Sequence, residues 1–128
     1  MKEDFVSFEI AKKLKEKGFE QGYNIFGYKL IFSDENTIKY ISDIGAYENE
    51  YFGINIPCPS ISQALKWLRE KKAMHIVCPF CEGNGFYFYV QEFGFGFWHN
   101  TIMDSSDYYA TFEKAALAGI KYVIDNLI

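Results

Sequence analysis

Five absences or shortages narrow the field before any motif is considered. The longest apolar run falls far short of the ~18 residues of a membrane-spanning helix. No apolar stretch of signal-peptide length follows Met1-Lys2-Glu3-Asp4. Positive charge is in deficit: 13 Lys+Arg against 17 Asp+Glu give a net charge of −4 and a pI near 5.2. That is the wrong balance for gripping a phosphate backbone. No glycine-rich phosphate loop occurs, because Gly94-Phe95-Gly96 lacks the third glycine and the following helix of a dinucleotide site. Cysteine is scarce and odd in number (Cys58, Cys78, Cys81), which argues against a disulfide framework and for a reducing compartment. The expectation is a cytoplasmic protein with neither nucleic-acid nor membrane partners.

What the chain does have is apolar and aromatic mass. Its 128 residues are 49% hydrophobic and 20% aromatic, too rich for disorder and of a size for one globular domain spanning 1–128. Val6, Ile10, Ala11 and Leu14 form one helical stripe within 4–18, with Asp4 as N-cap and Gly18 past the end. Residues 23–32 and 37–41 read as β-strands joined by the turn residues Ser33-Asp34-Glu35-Asn36. Residues 42–57 read as a long loop, with a short strand over 51–56. Ser60 and Gln63 make a capping box for a helix over 60–72, buried through Ile61, Ala64, Leu65 and Leu68. Met74 to Val77 reads as a strand, Glu82 to Gly85 as a hairpin turn, and Phe86 to Gln91 as the returning strand. Residues 93–98 suggest a glycine-kinked strand. The last helix is expected over 106–127, capped by Ser105 or Ser106, with a stripe from Tyr109 and Phe112 through Leu127. The implied fold class is α+β, in the order α-β-β-α-β-β-(β)-α, with helices on one face of a small antiparallel sheet.

Cys78-Pro79-Phe80-Cys81-Glu82-Gly83-Asn84-Gly85 matches C-x-x-C-x-G-x-G. It resembles one zinc-binding repeat of DnaJ-type chaperones, and also a rubredoxin-type knuckle. Two thiolates at this spacing can hold one metal when the turn directs both sulfurs inward. The second C-x-x-C of those families is absent, which leaves Cys58, His75 and His99 to complete a tetrahedron. The plainer reading makes all three cysteines packing residues. Redox chemistry fits poorly, because no helix N-terminus follows the pair to lower a thiol pKa. His75 and His99 have no partner that looks like a nucleophile elbow. The basic cluster Lys66–Lys72 reads as a solvated helix end. No cofactor is called for, zinc being the alternative.

Residues 86–98 hold eight aromatics in thirteen positions. Alternation puts Phe86, Phe88 and Val90 on one face, and Tyr87, Tyr89 and Gln91 on the other. Residues 73–113 contain no Lys or Arg while holding Glu82, Glu92, Asp104, Asp107 and Glu113, so a nucleic-acid platform is disfavoured there. The reading that remains sends the phenylalanines to the core. Tyr87, Tyr89 and Trp98 then face a protein partner beside an acidic rim.

The segment Phe5 to Phe19 resembles the opening of small uncharacterised proteins of gut bacteria and their phages and prophages. Lys66-Trp67-Leu68-Arg69-Glu70-Lys71, Met74-His75-Ile76 and Tyr109 to Ile128 are similar as well, so the likeness spans about half the chain. The resemblance implies a mobile-element accessory protein, carries no catalytic residues, and leaves the cysteine motif outside its shared pattern. It names no partner and no oligomeric state. The zinc alternative has a direct check in elemental mass spectrometry of untagged, dialysed protein. Were Cys78 and Cys81 ligands, about one zinc per chain would be found and would vanish in the Cys78→Ser, Cys81→Ser double variant.

Overall fold

A computed structural model describes residues 4–19, 24–25, 28–35, 37–42, 56–93 and 99–128. The fold class is α+β, with three helices and small antiparallel sheets among the described residues. By its internal contacts the chain separates into two compact units, Met1–Gln63 and Ala64–Ile128, and each is described by itself. Among the described residues no helix is long and apolar enough to cross a membrane.

In the first unit, helix α1 (Phe8–Glu16) starts later than its apolar stripe suggests. Its N-cap is Ser7 and not Asp4: the Ser7 hydroxyl accepts from the Ile10 N–H at 3.3 Å. The chain ahead of it is held in extended form, since Val6 N–H donates to the Pro59 carbonyl and Phe5 bridges Ser60. Val6, Ile10, Ala11 and Leu14 are all buried, so the stripe holds although one member precedes the helix. Glu9 and Lys13 pair at 3.4 Å. The helix ends in a Schellman motif. Gly18, at φ +102°, donates to the Lys15 carbonyl, and Phe19 donates to that of Leu14.

The strands of this unit centre on β2 (Tyr28–Asp34), which pairs with β1 (Asn24–Ile25), β3 (Thr37–Ser42) and β4 (Ile56–Pro57). The expected strand over 23–32 is thus split into β1 and β2, and the hairpin with β3 forms as anticipated. Leu30, Ile31 and Phe32 are buried on both faces of β2. Phe8 of α1 meets Phe32 edge-on at 5.5 Å. The strand expected over 51–56 is described only at its end, as β4; residues 43–55 lie outside the described set.

Helix α2 (Ile61–Lys71) opens with the expected capping box. Ser60 N–H donates to Gln63 Oε1 at 2.9 Å, and Gln63 N–H donates to Ser60 Oγ at 3.1 Å. Such a box is worth about 1 kcal/mol. Ile61, Ala64 and Leu68 are buried, Leu65 only partly.

The second unit is a three-stranded antiparallel sheet, β5 (Met74–Val77), β8 (Tyr89–Phe93) and β9 (His99–Asp104), packed on α3 (Phe112–Asn126). A two-stranded extension, β6 (Phe80–Cys81) and β7 (Gly85–Phe86), carries the hairpin tip. The strand expected over 86–91 is therefore broken after Phe86. The register of β5 on β8 continues unchanged into β6 on β7, so this is one long hairpin with missing rungs. The break coincides with Pro79, which has no N–H to donate; its carbonyl still accepts from Tyr87 N–H at 3.1 Å.

Helix α3 begins six residues later than expected, and its cap is Thr111, whose hydroxyl accepts from Lys114 N–H at 3.1 Å. Ser105 and Ser106 are not caps. The backbone of Tyr109 is engaged elsewhere, exchanging hydrogen bonds with Phe86 at 2.6 and 2.8 Å. Ser105 is engaged too: its N–H donates to the Phe88 carbonyl and its hydroxyl accepts from Phe88 N–H. These strand-like pairings compete directly with a first helical turn. Phe112 accordingly stays 40% exposed, outside the buried stripe of Ala115, Ala116, Gly119, Ile120, Val123 and Ile124.

At Gly119 the helix lies against the sheet so closely that a Cβ would meet Ile76 Cγ2 at 2.7 Å and Phe88 Cδ2 at 3.2 Å. In an exposed helix interior, Gly→Ala gains up to ~1 kcal/mol. Here Gly119→Ala is expected to reverse that sign and destabilise by about 1–3 kcal/mol through overpacking. Thermal melting of the single variant checks it, and an unchanged or raised midpoint would mean that α3 does not pack this closely.

Candidate functional site

The second unit's sheet has two unlike faces because its strands alternate. Phe88 and Val90 point to α3 and are buried with Met74 and Ile76. Tyr87, Tyr89 and Gln91 fall on the opposite side and are half-buried. The alternation expected for residues 86–91 therefore stands, although the strand is interrupted.

On the side turned away from α3 the rings form a chain. Tyr87 lies 6.4 Å from Tyr89, with their planes tilted by 37°. Tyr108, which is 50% exposed, meets Tyr87 at 6.0 Å and 70°. Along the same face His75 stacks on Phe93 at 5.5 Å and 18°. At the hairpin tip Phe80 is 64% exposed and rests edge-on against Phe86. In the β8–β9 register Tyr89 sits opposite Asp104, Gln91 opposite Thr101 and Phe93 opposite His99. Residues opposite one another share a face, so Asp104 lies on the same face of the sheet as Tyr89. Ile102 is the extra residue of a bulge between the Val90 and Gln91 pairings, 39% exposed.

Tyr87 and Tyr89 are thus brought together, with Tyr108 as a third member that sequence reasoning missed. Placing Tyr108 inside the last helix hid it, and the later start of α3 puts it in the loop just before the bridge residue Tyr109 instead. Trp98, the third expected contact residue, lies outside the described residues.

A concavity of about 370 Å³ opens between α3 and residues 105–109. Phe88, Met103 and Ala118 line its apolar part, with Tyr109 and Tyr122 beside the Phe88 ring at 6.2 and 6.4 Å. Its polar lining mixes Asp107 and Asp125 with Lys121. Partial burial, and then the Asp107 carboxylate, hold the Tyr109 phenol above its usual range. The mixed charge gives this cleft no preference for one class of ligand.

The five residues considered for a metal are distributed as follows. Cys58 is buried in the first unit, its N–H donating to the Leu30 carbonyl. Cys78 follows β5 and Cys81 ends β6, both in the second unit. The tight turn comes after Cys81, at Glu82–Asn84, and not between the two cysteines. The cysteines are separated by extended chain, where an offset of three residues favours opposite faces. Asn84 Nδ2 donates to the Cys81 sulfur at 3.6 Å. His75 is taken up in its stack with Phe93, and of His99 the structure describes the backbone, in β9. Among the described residues no three His, Cys, Asp or Glu side chains come together as metal ligands would. In the basic cluster, Lys72 lies over the Trp67 ring at 5.5 Å.

No family model, curated protein or solved structure matches this chain.

Burial pushes the Cys58 thiol up to about 12 and the Cys78 thiol up to about 11, from an ordinary 9.0. Between pH 9 and 11 an unfolded chain releases thiol protons that the folded chain keeps, so stability present below pH 9 is lost as pH rises. The melting temperature is expected to fall across that window. Cys58→Ala should flatten the slope whatever it does to the level. A pH dependence identical in the variant would show that the Cys58 thiol ionises as readily folded as unfolded.

Proposed function

We propose that this is a non-enzymatic accessory protein that acts by holding a second protein against the sheet face carrying Tyr87, Tyr89 and Tyr108. The observation that carries this reading is the ring cluster itself. A sheet face committed to the protein's own core would have sunk these rings, as Phe88 and Val90 are sunk on the other side. Instead Tyr108 stands half exposed against Tyr87, which in turn lies against Tyr89. Tyrosines anchor protein interfaces because each presents a large rigid surface with few rotatable bonds and a polar tip. The exposed Phe93 and Ile102 extend the apolar area along the strands.

Photo-crosslinking in the source cells tests the proposal. A benzoylphenylalanine replacing Tyr108 is expected to give a discrete adduct with a second protein, while the same group at Lys66 gives none. Adding Tyr87→Ala and Tyr89→Ala should abolish the adduct and lower the melting temperature by only a few degrees, since ring pairs of this kind contribute about 0.5–1.5 kcal/mol each. No adduct from position 108, or a collapse of the fold in the alanine variants, would withdraw the surface.

A further inference from the structure

We propose that the face bearing the tyrosine cluster receives an arginine side chain of the partner, a guanidinium seated on the Tyr87–Tyr89 rings and held by the Asp104 carboxylate. This rests on the protein-contact reading and gives that contact its chemistry.

Three observations converge on it. First, the rings supply faces in different orientations: Tyr89 is tilted by 37° to Tyr87, and Tyr108 stands at 70° to it. A planar cation can stack on one ring while the neighbouring ring flanks it. Second, a carboxylate is in place. Asp104 is exposed and directly opposite Tyr89 in the β8–β9 register, so it shares the tyrosine's face. Among the described residues no ion pair engages Asp104. Third, the stretch from β5 through β9 supplies no Lys or Arg of its own. Residues 73–113 hold none, and the second unit's basic residues lie on α2 and α3 or, for Lys72, against Trp67.

Together these make a negative, π-rich surface that repels a phosphate or an acidic segment and attracts a cation. Arginine suits it better than lysine. Its guanidinium is planar and weakly hydrated, stacks on aromatic faces, and offers a fork of N–H donors that a carboxylate accepts in pairs.

The probe is a capped, fluorescein-labelled Gly-Arg-Gly-Arg-Gly peptide, compared by anisotropy at low salt with the same peptide carrying citrulline for arginine. Citrulline keeps the shape and loses the charge. The arginine peptide is expected to bind at least tenfold more tightly. Asp104→Asn, at an exposed position that leaves the core untouched, should weaken it at least fivefold, and Tyr89→Ala should do the same. Lys66→Gln should change it less than twofold.

Equal binding of the two peptides, or binding of neither, overturns the proposal. So does an arginine preference that survives both Asp104→Asn and Tyr89→Ala, because diffuse net charge would then be its source. A crosslink from position 108 with no arginine preference would leave the contact reading standing and remove only the guanidinium.

Discussion

The second unit depends on how closely α3 approaches β5 and β8 at Gly119. Because residue 119 has no side chain, Ile76 and Phe88 can lie directly against the helix backbone. That contact decides which face of the sheet is inside. Once Phe88 and Val90 are committed to the helix, strand geometry leaves Tyr87 and Tyr89 no choice but the other side. The tyrosine face is thus a consequence of core packing, and a one-residue slip of β8 would exchange the two sets of rings.

A second constraint fixes where α3 begins. The backbone exchange between Phe86 and Tyr109, with the paired bonds of Ser105 to Phe88, extends the sheet's hydrogen bonding past the end of β9. Tyr109 is held in a bridge where a first helical turn could have formed, and the helix waits for Thr111. That delay places Tyr108 against Tyr87. The face proposed for partner contact therefore draws on two local decisions, one made by a glycine in a helix and one by a serine that behaves as part of a strand.

Much of this was legible in the residues. The capping box at Ser60 and Gln63, the stripe of α1, the terminating Gly18 and the inside-outside division of Phe88 from Tyr89 all follow from local spacing, and local spacing is what the structure uses there. The misplacements share a different cause. Asp4 and Ser105 are good capping residues by type, but long-range backbone partners claim the chain around them, namely Pro59 and Ser60 in the first unit and Phe86 and Phe88 in the second. Periodicity cannot see a partner dozens of residues away. The same limit concealed Tyr108; the break at Pro79 has a local cause, the missing N–H, which the alternating pattern running on across it masks.

That break separates two things a hairpin usually couples. The register passes through Pro79 and Tyr87 unchanged, while the tip beyond it, with its exposed Phe80 and the left-handed Gly83 in the turn, adds no residue to the buried core. Residues can therefore be added between Cys81 and Gly85 without disturbing the core, in pairs on each strand so that the faces keep their sides, whereas Phe86 stays tied to Tyr109. A lineage carrying this fold could extend the hairpin in such steps, reshaping what the surface reaches while α3 and the sheet beneath it stay as they are.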